Sequence, residues 1–198
     1  LIYGAMRAGL NTFCRLSRGV RIGWDTGFDS GESLDHVYRN RAQGITPLGR
    51  MIDRIYLDSV GWQGIRARRE HLVARIADAL RDVRAQGRSP HLVDIAAGPG
   101  RYDLEALERS ADPAATAVLR DRSPTGVEAG RALTRERGLE GRVRNEVGDA
   151  FDAASLAKLS PRPDVAVVSG LYELFADNAL VRRSLDGLAA AVPQGGWL

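Results

Sequence analysis

Acidic residues and glycines lie together where a short apolar run of this chain ends. Asp94 lies within the apolar run Leu92–Ile95, and Gly98 and Gly100 follow shortly after it. Glycines let the backbone turn tightly and approach a bound molecule, because no Cβ intrudes. The helix predicted to begin at Arg101 would offer free N–H groups to an anion. The pattern predicts a ligand-binding turn, although two glycines alone do not identify the ligand.

Two further aspartates end the next two apolar runs. Asp121 follows Ala117–Leu119, about 20 residues beyond the glycines, where a carboxylate accepts both ribose hydroxyls. Asp149 follows Val143–Val147, within reach of an adenine amino group. Each aspartate alone is better explained as a helix cap or a surface charge. Taken in order at successive strand ends, the three favour a site for a nucleoside.

Acidic residues in the turn argue against a dinucleotide. A Rossmann dinucleotide site has a third glycine at the position of Asp103. Asp94 would repel a pyrophosphate and would favour an ammonium group. The preferred ligand is therefore a nucleoside with an amino-acid tail. An NAD-type oxidoreductase is the less favoured alternative.

We predict a long amphipathic helix from about Trp62 to Gly87. Beyond it, the chain alternates between strands and helices. This alternation predicts βαβ units, and hence an α/β fold with a parallel sheet and helices on both faces. Ligands in such sheets bind beyond the carboxyl ends of the strands, which is where the aspartates fall. The predicted strands are Leu92–Ile95, Ala117–Leu119, Val143–Val147 and Val165–Val168, and the predicted helices begin near Arg101, Pro124, Ala153 and Asn178.

The first 60 residues are expected to be helical and irregular. Apolar residues recur at helical spacing and are then interrupted by glycines. Short helices are predicted at Leu34–Arg41 and Pro47–Ser59, the second with Thr46 as its N-cap. We expect residues 1–60 to form a helical lid and residues 61–198 the ligand-binding domain. The apolar residues are Met6, Leu10, Phe13 and Leu16, and the interrupting glycines are Gly19, Gly23, Gly27 and Gly31.

Composition favours a cytoplasmic globular protein. No apolar run approaches the roughly 18 residues that a membrane span needs. The single cysteine and three scattered histidines predict neither an internal disulfide nor a metal site. The net charge of +3 comes almost entirely from scattered arginines, which gives no clear nucleic-acid signal.

Several of these stretches resemble motifs of class I methyltransferases. Asp94–Gly100 resembles the family's first motif, hydrophobic-Asp-hydrophobic-Gly-x-Gly-x-Gly, with Ala96 in place of the first glycine. Asp121 matches the acidic residue of the second motif, although Arg120 stands where the family has a small or apolar residue. Gly148-Asp149-Ala150 resembles the adenine motif, and Pro193–Gly196 resembles the turn before the fifth strand.

The resemblance implies a Rossmann-like doubly wound sheet and S-adenosyl-L-methionine as the cofactor. The implied cofactor-binding residues are Asp94, Ala96, Gly98, Gly100, Asp121, Asp149, Ala150 and Ser169. Residues after the fourth strand of this fold usually face both the methyl group and the acceptor. Glu173 is therefore a candidate general base, and Tyr172 a candidate for cation–π contact with the sulfonium.

Four other stretches are similar to a narrower bacterial family of methyltransferases, some of them fused to an α/β-hydrolase. The resemblance implies a fused or associated hydrolase as partner but does not identify the acceptor, for which our leading hypothesis is a small molecule or a lipid-like compound. Tyr38, Arg39 and Arg66 are then candidates to contact the cofactor or acceptor from the lid. The stretches are Phe28–Gly31, Leu34–Asn40, Gly61–Arg69 and Ser169–Phe175.

Two further expectations concern catalysis and the chain ends. A non-catalytic S-adenosylmethionine-binding or scaffold domain is the main alternative, and it would show an intact cofactor turn beside an acceptor pocket that is filled or lacks polar groups.

Residue 1 is Leu, and the chain ends just after the predicted turn at Pro193–Gly196. We therefore expect a fragment without the C-terminal strands of this fold, which aggregates or turns over poorly when expressed alone.

Overall fold

A computed structural model describes residues 14–198 of the chain. The chain divides into two compact units, of which the first ends at Arg69 and the second begins at Glu70. Met6, Leu10 and Phe13, which suggested an N-terminal helix, lie outside the described residues. Among the described residues, none of the helices combines the length and the apolar character of a membrane span.

Three short helices occupy the described part of the first unit. They are α1 (Arg18–Thr26), α2 (Gly31–Arg39) and α3 (Pro47–Leu57), and α4 (Val60–Ala85) then runs from the first unit into the second. Side-chain oxygens cap all three by accepting backbone N–H groups, from Ser17 for α1, Ser30 for α2 and Thr46 for α3. Helix α1 packs against α2 and α3. The predicted cap at Thr46 is confirmed.

Helix α1 corrects one expectation, because it runs through two glycines that we expected to interrupt the helical pattern. A Cβ at Gly19 would lie 2.6 Å from the Tyr56 ring, and one at Gly23 would lie 2.2 Å from the Phe28 ring. These glycines admit close packing of aromatic side chains. The prediction was wrong because glycine spacing cannot distinguish close packing from helix termination.

Asp53 is the polar centre of the first unit. Its fully buried carboxylate accepts hydrogen bonds from Ser17 Oγ at 2.6 Å, Gly19 N at 2.7 Å, His36 Nε2 at 3.0 Å and Gln43 N at 2.7 Å. Burial acts to raise the pKa of Asp53, but the hydrogen bonds, led by that of His36, lower it to about 2. One ionised side chain thus joins α1, α2 and the segment before α3.

The second unit is built on four parallel strands, β1 (His91–Asp94), β2 (Thr116–Asp121), β3 (Val143–Val147) and β4 (Val165–Val167), in the order β3-β2-β1-β4. The helices are α5 (Arg101–Ser110), α6 (Pro124–Glu136), α7 (Ala153–Ala157) and α8 (Asn178–Ala191), with a 3₁₀ helix at Tyr172–Leu174. The predicted α/β class and the alternation of elements are confirmed, with bounds that differ by a few residues.

Both faces of the sheet carry helices. Val93, Val118 and Ala166 share one face, and they form a buried core with Leu156 of α7 and Leu188 of α8. On the opposite face, Tyr102 of α5 donates to Asp94 and Thr134 Oγ1 of α6 donates to Asn145 of β3 at 3.0 Å. Successive strand residues point to opposite faces, so each strand contributes to both layers.

Trp197 pairs beside β4, on the side away from β1. It forms a parallel bridge with Val165: Trp197 N donates to Asp164 O at 2.8 Å, and Ala166 N donates to Trp197 O at 2.8 Å. Its indole Nε1 donates to Asp82 of α4 at 3.1 Å. The turn predicted before it therefore leads to the position of a fifth strand.

Candidate functional site

The turn after β1 depends on glycine at two positions. Gly98 and Gly100 have φ angles of 55° and 72°, in the left-handed region that favours glycine. A Cβ at Gly100 would also lie 2.4 Å from Leu119 Cδ1. Ala96 lies outside the left-handed region, so alanine in place of the family's glycine does not strain the turn.

Asp121 joins the loops that follow three strands. Its carboxylate accepts hydrogen bonds from Gly98 N at 2.8 Å and from Ser123 N at 2.7 Å. Its backbone carbonyl accepts one from Gly148 N at 3.0 Å. The side chain is only half-buried, and a carboxylate has roughly four acceptor positions, so about two remain for hydroxyl groups of a ligand.

Helix α5 begins directly at the glycine turn. Its N-cap, Gly100, offers no side-chain acceptor to the N–H groups of the first helical turn. Uncapped N–H groups and the positive end of the helix dipole favour a negatively charged group at this point. The start of α5 therefore offers backbone donors directly after the glycine turn.

A pair of enclosed carboxyl groups lies beneath the turn. Asp94 and Asp103 are both fully buried. Asp94 accepts hydrogen bonds from Ala96 N at 2.9 Å and from the Tyr102 hydroxyl. Among the described residues, neither Asp103 oxygen has an N–H or hydroxyl partner. That arrangement suits a protonated Asp103 that donates to Asp94.

Protonation of the pair follows from its burial. Burial raises the pKa of Asp94 to about 7, although the bonds from Tyr102 and Ala96 act to lower it. Burial and the neighbouring Asp94 raise the pKa of Asp103 well above its usual range. The pair therefore keeps at least one proton at neutral pH, and the larger rise in pKa favours Asp103 as the group that holds it.

This geometry changes how Asp94 would act. The sequence suggested that its carboxylate would face the ammonium group of a ligand, but that carboxylate is enclosed below the turn. Its contact with the turn is the bond from Ala96 N. Asp94 therefore shapes the turn from beneath, and its contact with a ligand stays a prediction.

The segment after β3 holds the predicted adenine residues. Asp149 is exposed, and its carboxylate accepts a hydrogen bond from Phe151 N at 2.9 Å. Ala150 is buried, and its carbonyl accepts one from Ser184 Oγ at 2.5 Å. The Phe151 ring packs edge-on against Phe175, with centroids 4.7 Å apart. The segment is thereby tied to the residues after β4.

The predicted catalytic residues lie after β4. Tyr172 donates its hydroxyl to Ser184 Oγ at 2.8 Å, and burial raises its pKa. Its ring centroid lies 6.4 Å from that of Phe151. Glu173 is exposed and Ser169 is half-buried. Their roles, and that of Tyr172 at the sulfonium, stay predictions.

Arg120 was noted in the sequence only as a departure from the family pattern. Its buried guanidinium donates to Ser155 Oγ at 2.8 Å and lies 3.3 Å from Glu146 Oε1. A Cβ at Gly148 would lie 2.4 Å from Arg120 Nε. Strand alternation could have placed this side chain on the face opposite Asp121. Tyr102 and Ser184 gave no comparable signal.

The residues predicted to act from the lid belong to the first unit. Arg39 Nε donates to Asp35 at 2.7 Å, and Arg66 donates to Leu57 O at 2.9 Å. Tyr38 packs under the guanidinium of Arg69. Contact of Tyr38, Arg39 or Arg66 with a cofactor or acceptor stays a prediction. Within residues 14–198, no cluster of His, Cys, Asp and Glu suits a metal ion.

Comparisons with known proteins point to one family. The sequence profile of the family described as "Putative methyltransferase" matches residues 1–198. The chain is 50% identical over 199 residues to "Uncharacterized protein YnbC" of Escherichia coli (strain K12), and the match covers 100% of this chain and 34% of that protein. The chain thus spans about a third of the length of the curated relative it matches.

Two solved structures show the same fold. A possible exported protein of Bordetella parapertussis is similar with a TM-score of 0.64 and 21% identity, over 84% of this chain and 52% of that one. An O-methyltransferase family protein of Burkholderia thailandensis is similar with a TM-score of 0.50 and 22% identity, over 73% of this chain and 42% of that one. The Rossmann-like fold of methyltransferases is therefore confirmed.

Proposed function

Because this chain belongs to the family described as "Putative methyltransferase", we propose that it binds S-adenosyl-L-methionine after β1 and transfers the methyl group to a small-molecule or lipid-like acceptor. The observation that carries the proposal is the bonding of Asp121. Its side chain and carbonyl join the loops after β1, β2 and β3, and part of its carboxylate is left for a ribose.

The residues around Asp121 suit the separate parts of this cofactor. Left-handed Gly98 and Gly100 keep side chains out of the turn, which leaves room for close approach. The uncapped start of α5 offers N–H groups to the carboxylate of an amino-acid tail. The segment at Asp149 and Ala150 borders the position expected for adenine. Asp94 and Asp103 together carry at most one negative charge at neutral pH, and such a charge would favour an ammonium group nearby.

Bound S-adenosylmethionine would supply a methyl group already activated by its sulfonium, so the chain has mainly to position the reactants. Asp121 would orient the ribose, and the turn at Gly98 and Gly100 would fix the amino-acid tail. Exposed Glu173 would take the proton of a hydroxyl acceptor, as a general base does. Tyr172, held through its hydroxyl by Ser184, would present its ring beside the segment after β3.

Titration calorimetry of the intact protein tests the cofactor. We expect binding of S-adenosylhomocysteine, the product of methyl transfer, and no comparable binding of NAD. NAD binding without S-adenosylhomocysteine binding would refute the proposal and support an oxidoreductase.

The acceptor requires a separate screen. S-adenosylhomocysteine release should be measured with S-adenosylmethionine and a library of hydroxyl, amine and lipid-like compounds. We expect release with at least one acceptor and, where that acceptor is a hydroxyl compound, its loss in the E173Q variant. Tight cofactor binding without release for any compound would favour the non-catalytic binding domain instead.

A further inference from the structure

Ser184 lies where two parts of the candidate site meet. It is a fully buried residue of α8, and its hydroxyl makes two hydrogen bonds. It donates to Ala150 O at 2.5 Å and accepts from the Tyr172 hydroxyl at 2.8 Å. One side chain thus connects the segment after β3 with the 3₁₀ helix after β4.

Packing supports the same connection. The Phe151 ring lies against Phe175, so aromatic contact joins the two segments beside the hydrogen bonds. Helix α8 in turn fits tightly on α7, where a Cβ at Gly187 would lie 2.8 Å from Ala153 Cα. Ser184 is therefore held on a rigid helix and not on a loop.

We propose that Ser184 is a positioning residue that sets the adenine segment and Tyr172 relative to each other, an inference that rests on the proposed function. Water cannot take the place of the Ser184 hydroxyl, because the Ala150 carbonyl that accepts its hydrogen bond belongs to a buried residue. Without Ser184, the Ala150 carbonyl and the Tyr172 hydroxyl would both lose their partner. The segment that borders the adenine would then lose its fixed conformation, and the cofactor would have to restore it on binding.

Calorimetry with S-adenosylhomocysteine tests this inference in the intact protein. S184A should lower the affinity about 5- to 30-fold, which is the range for a lost buried hydrogen bond that binding must in part restore. S184C, which is slightly larger than serine and offers only a weak donor, should lie between S184A and the wild type. Y172F keeps the bond from Ser184 to Ala150 and should lower the affinity less than S184A.

Ser110 provides the matched control. It is a buried serine of α5 whose hydroxyl also donates to a backbone carbonyl, that of Leu107 at 2.8 Å, but it lies at the helix end away from the glycine turn. S110A should lower the melting temperature and leave the affinity for S-adenosylhomocysteine unchanged. An equal loss of affinity in S110A would show that the effect of S184A is general destabilisation, and would overturn the inference.

The outcomes separate the two proposals. If the wild type fails to bind S-adenosylhomocysteine, the proposed function fails. If the wild type binds and folded S184A binds equally well, only the inference about Ser184 fails. Should S184A not fold, S184C decides in the same way: a reduced affinity supports the positioning role, and wild-type affinity overturns it.

Discussion

At the scale of single residues, Asp121 is the residue whose proposed role in cofactor binding has the most structural support. Removing its carboxylate in D121A eliminates the acceptor for Gly98 N and Ser123 N and the predicted acceptor for ribose. Hydrogen bonds to charged groups are the stronger ones, so the affinity for S-adenosylhomocysteine should fall about 10- to 100-fold in calorimetry. Unchanged affinity would remove Asp121 from the site.

Asp112 serves as the control for D121A. Its carboxylate likewise holds a turn, accepting Ala114 N at 2.9 Å, but it lies before β2, at the opposite end of that strand. D112A should reduce stability without weakening cofactor binding. A parallel loss of affinity in both variants would mean that turn stability, and not ribose recognition, explains the effect of D121A.

The buried pair Asp94 and Asp103 predicts a pH dependence of the second unit. Both pKa values are raised above those of the unfolded chain, Asp94 to about 7. The folded state therefore holds more protons on this pair, so the pair's contribution to stability should be fully present below about pH 4 and decline as the pH rises through about 7. D103N keeps a donor to Asp94 but cannot ionise, so its free energy of unfolding should decline less over that range. Urea unfolding between pH 4 and 8 measures this, and parallel curves for D103N and wild type would contradict it.

Sequence could predict the site residues only where chemistry follows directly from residue type and position. Gly98, Gly100 and Asp121 lie where their pattern suggested, because strand ends in a parallel sheet converge. The enclosure of Asp94 and the bonds of Ser184 could not be predicted. Both depend on which face of a helix meets the sheet, and a serine in a helix has no distinctive spacing.

At the scale of elements, the β1–α5 connection is the most sensitive. G100A would combine a left-handed backbone with a clash against Leu119, whereas Gly138 has a φ of 66° and no neighbour within 4 Å. G138A should therefore lower the free energy of unfolding by about 1 kcal/mol, the cost of a left-handed backbone at alanine. G100A should lower it by about 1–3 kcal/mol more, because its Cβ would also overpack against Leu119. Thermal unfolding measures both. Equal losses of stability in G100A and G138A would show that the Leu119 side chain moves aside without cost.

Most elements of the second unit were predictable because strand and helix patterns alternate with clear breaks. Strand β3 and helix α8 lie at their predicted positions. Helix α1 was missed, since its glycines face aromatic side chains from distant positions in the sequence. Local pattern identifies an element, but it does not show what packs against it.

At the scale of the whole molecule, the two units should respond to pH in opposite directions. The lowered pKa of Asp53 stabilises the first unit above about pH 4, and that contribution is lost as the pH falls towards 2. The second unit, through Asp94 and Asp103, loses stability as the pH rises instead. D53N should remove much of the acid sensitivity of the first unit, with D58N as the exposed control.

Tryptophan emission can follow the units separately. Trp24 and Trp62 belong to the first unit and Trp197 to the second. W197F therefore reports unfolding of the first unit, and the W24F/W62F double variant reports unfolding of the second. Urea midpoints that shift in the same direction with pH in both variants would contradict the prediction.

The bonds that Asp121 makes have a spectroscopic consequence. Glycine amide nitrogens resonate apart from most others in a nitrogen–proton correlation spectrum, and Asp121 holds two glycine amides, Gly98 through its carboxylate and Gly148 through its carbonyl. These two amides follow β1 and β3, the strands on either side of β2, which ends at Asp121. A compound that occupies the site should shift both together, so unknown ligands could be mapped before any turnover is detected.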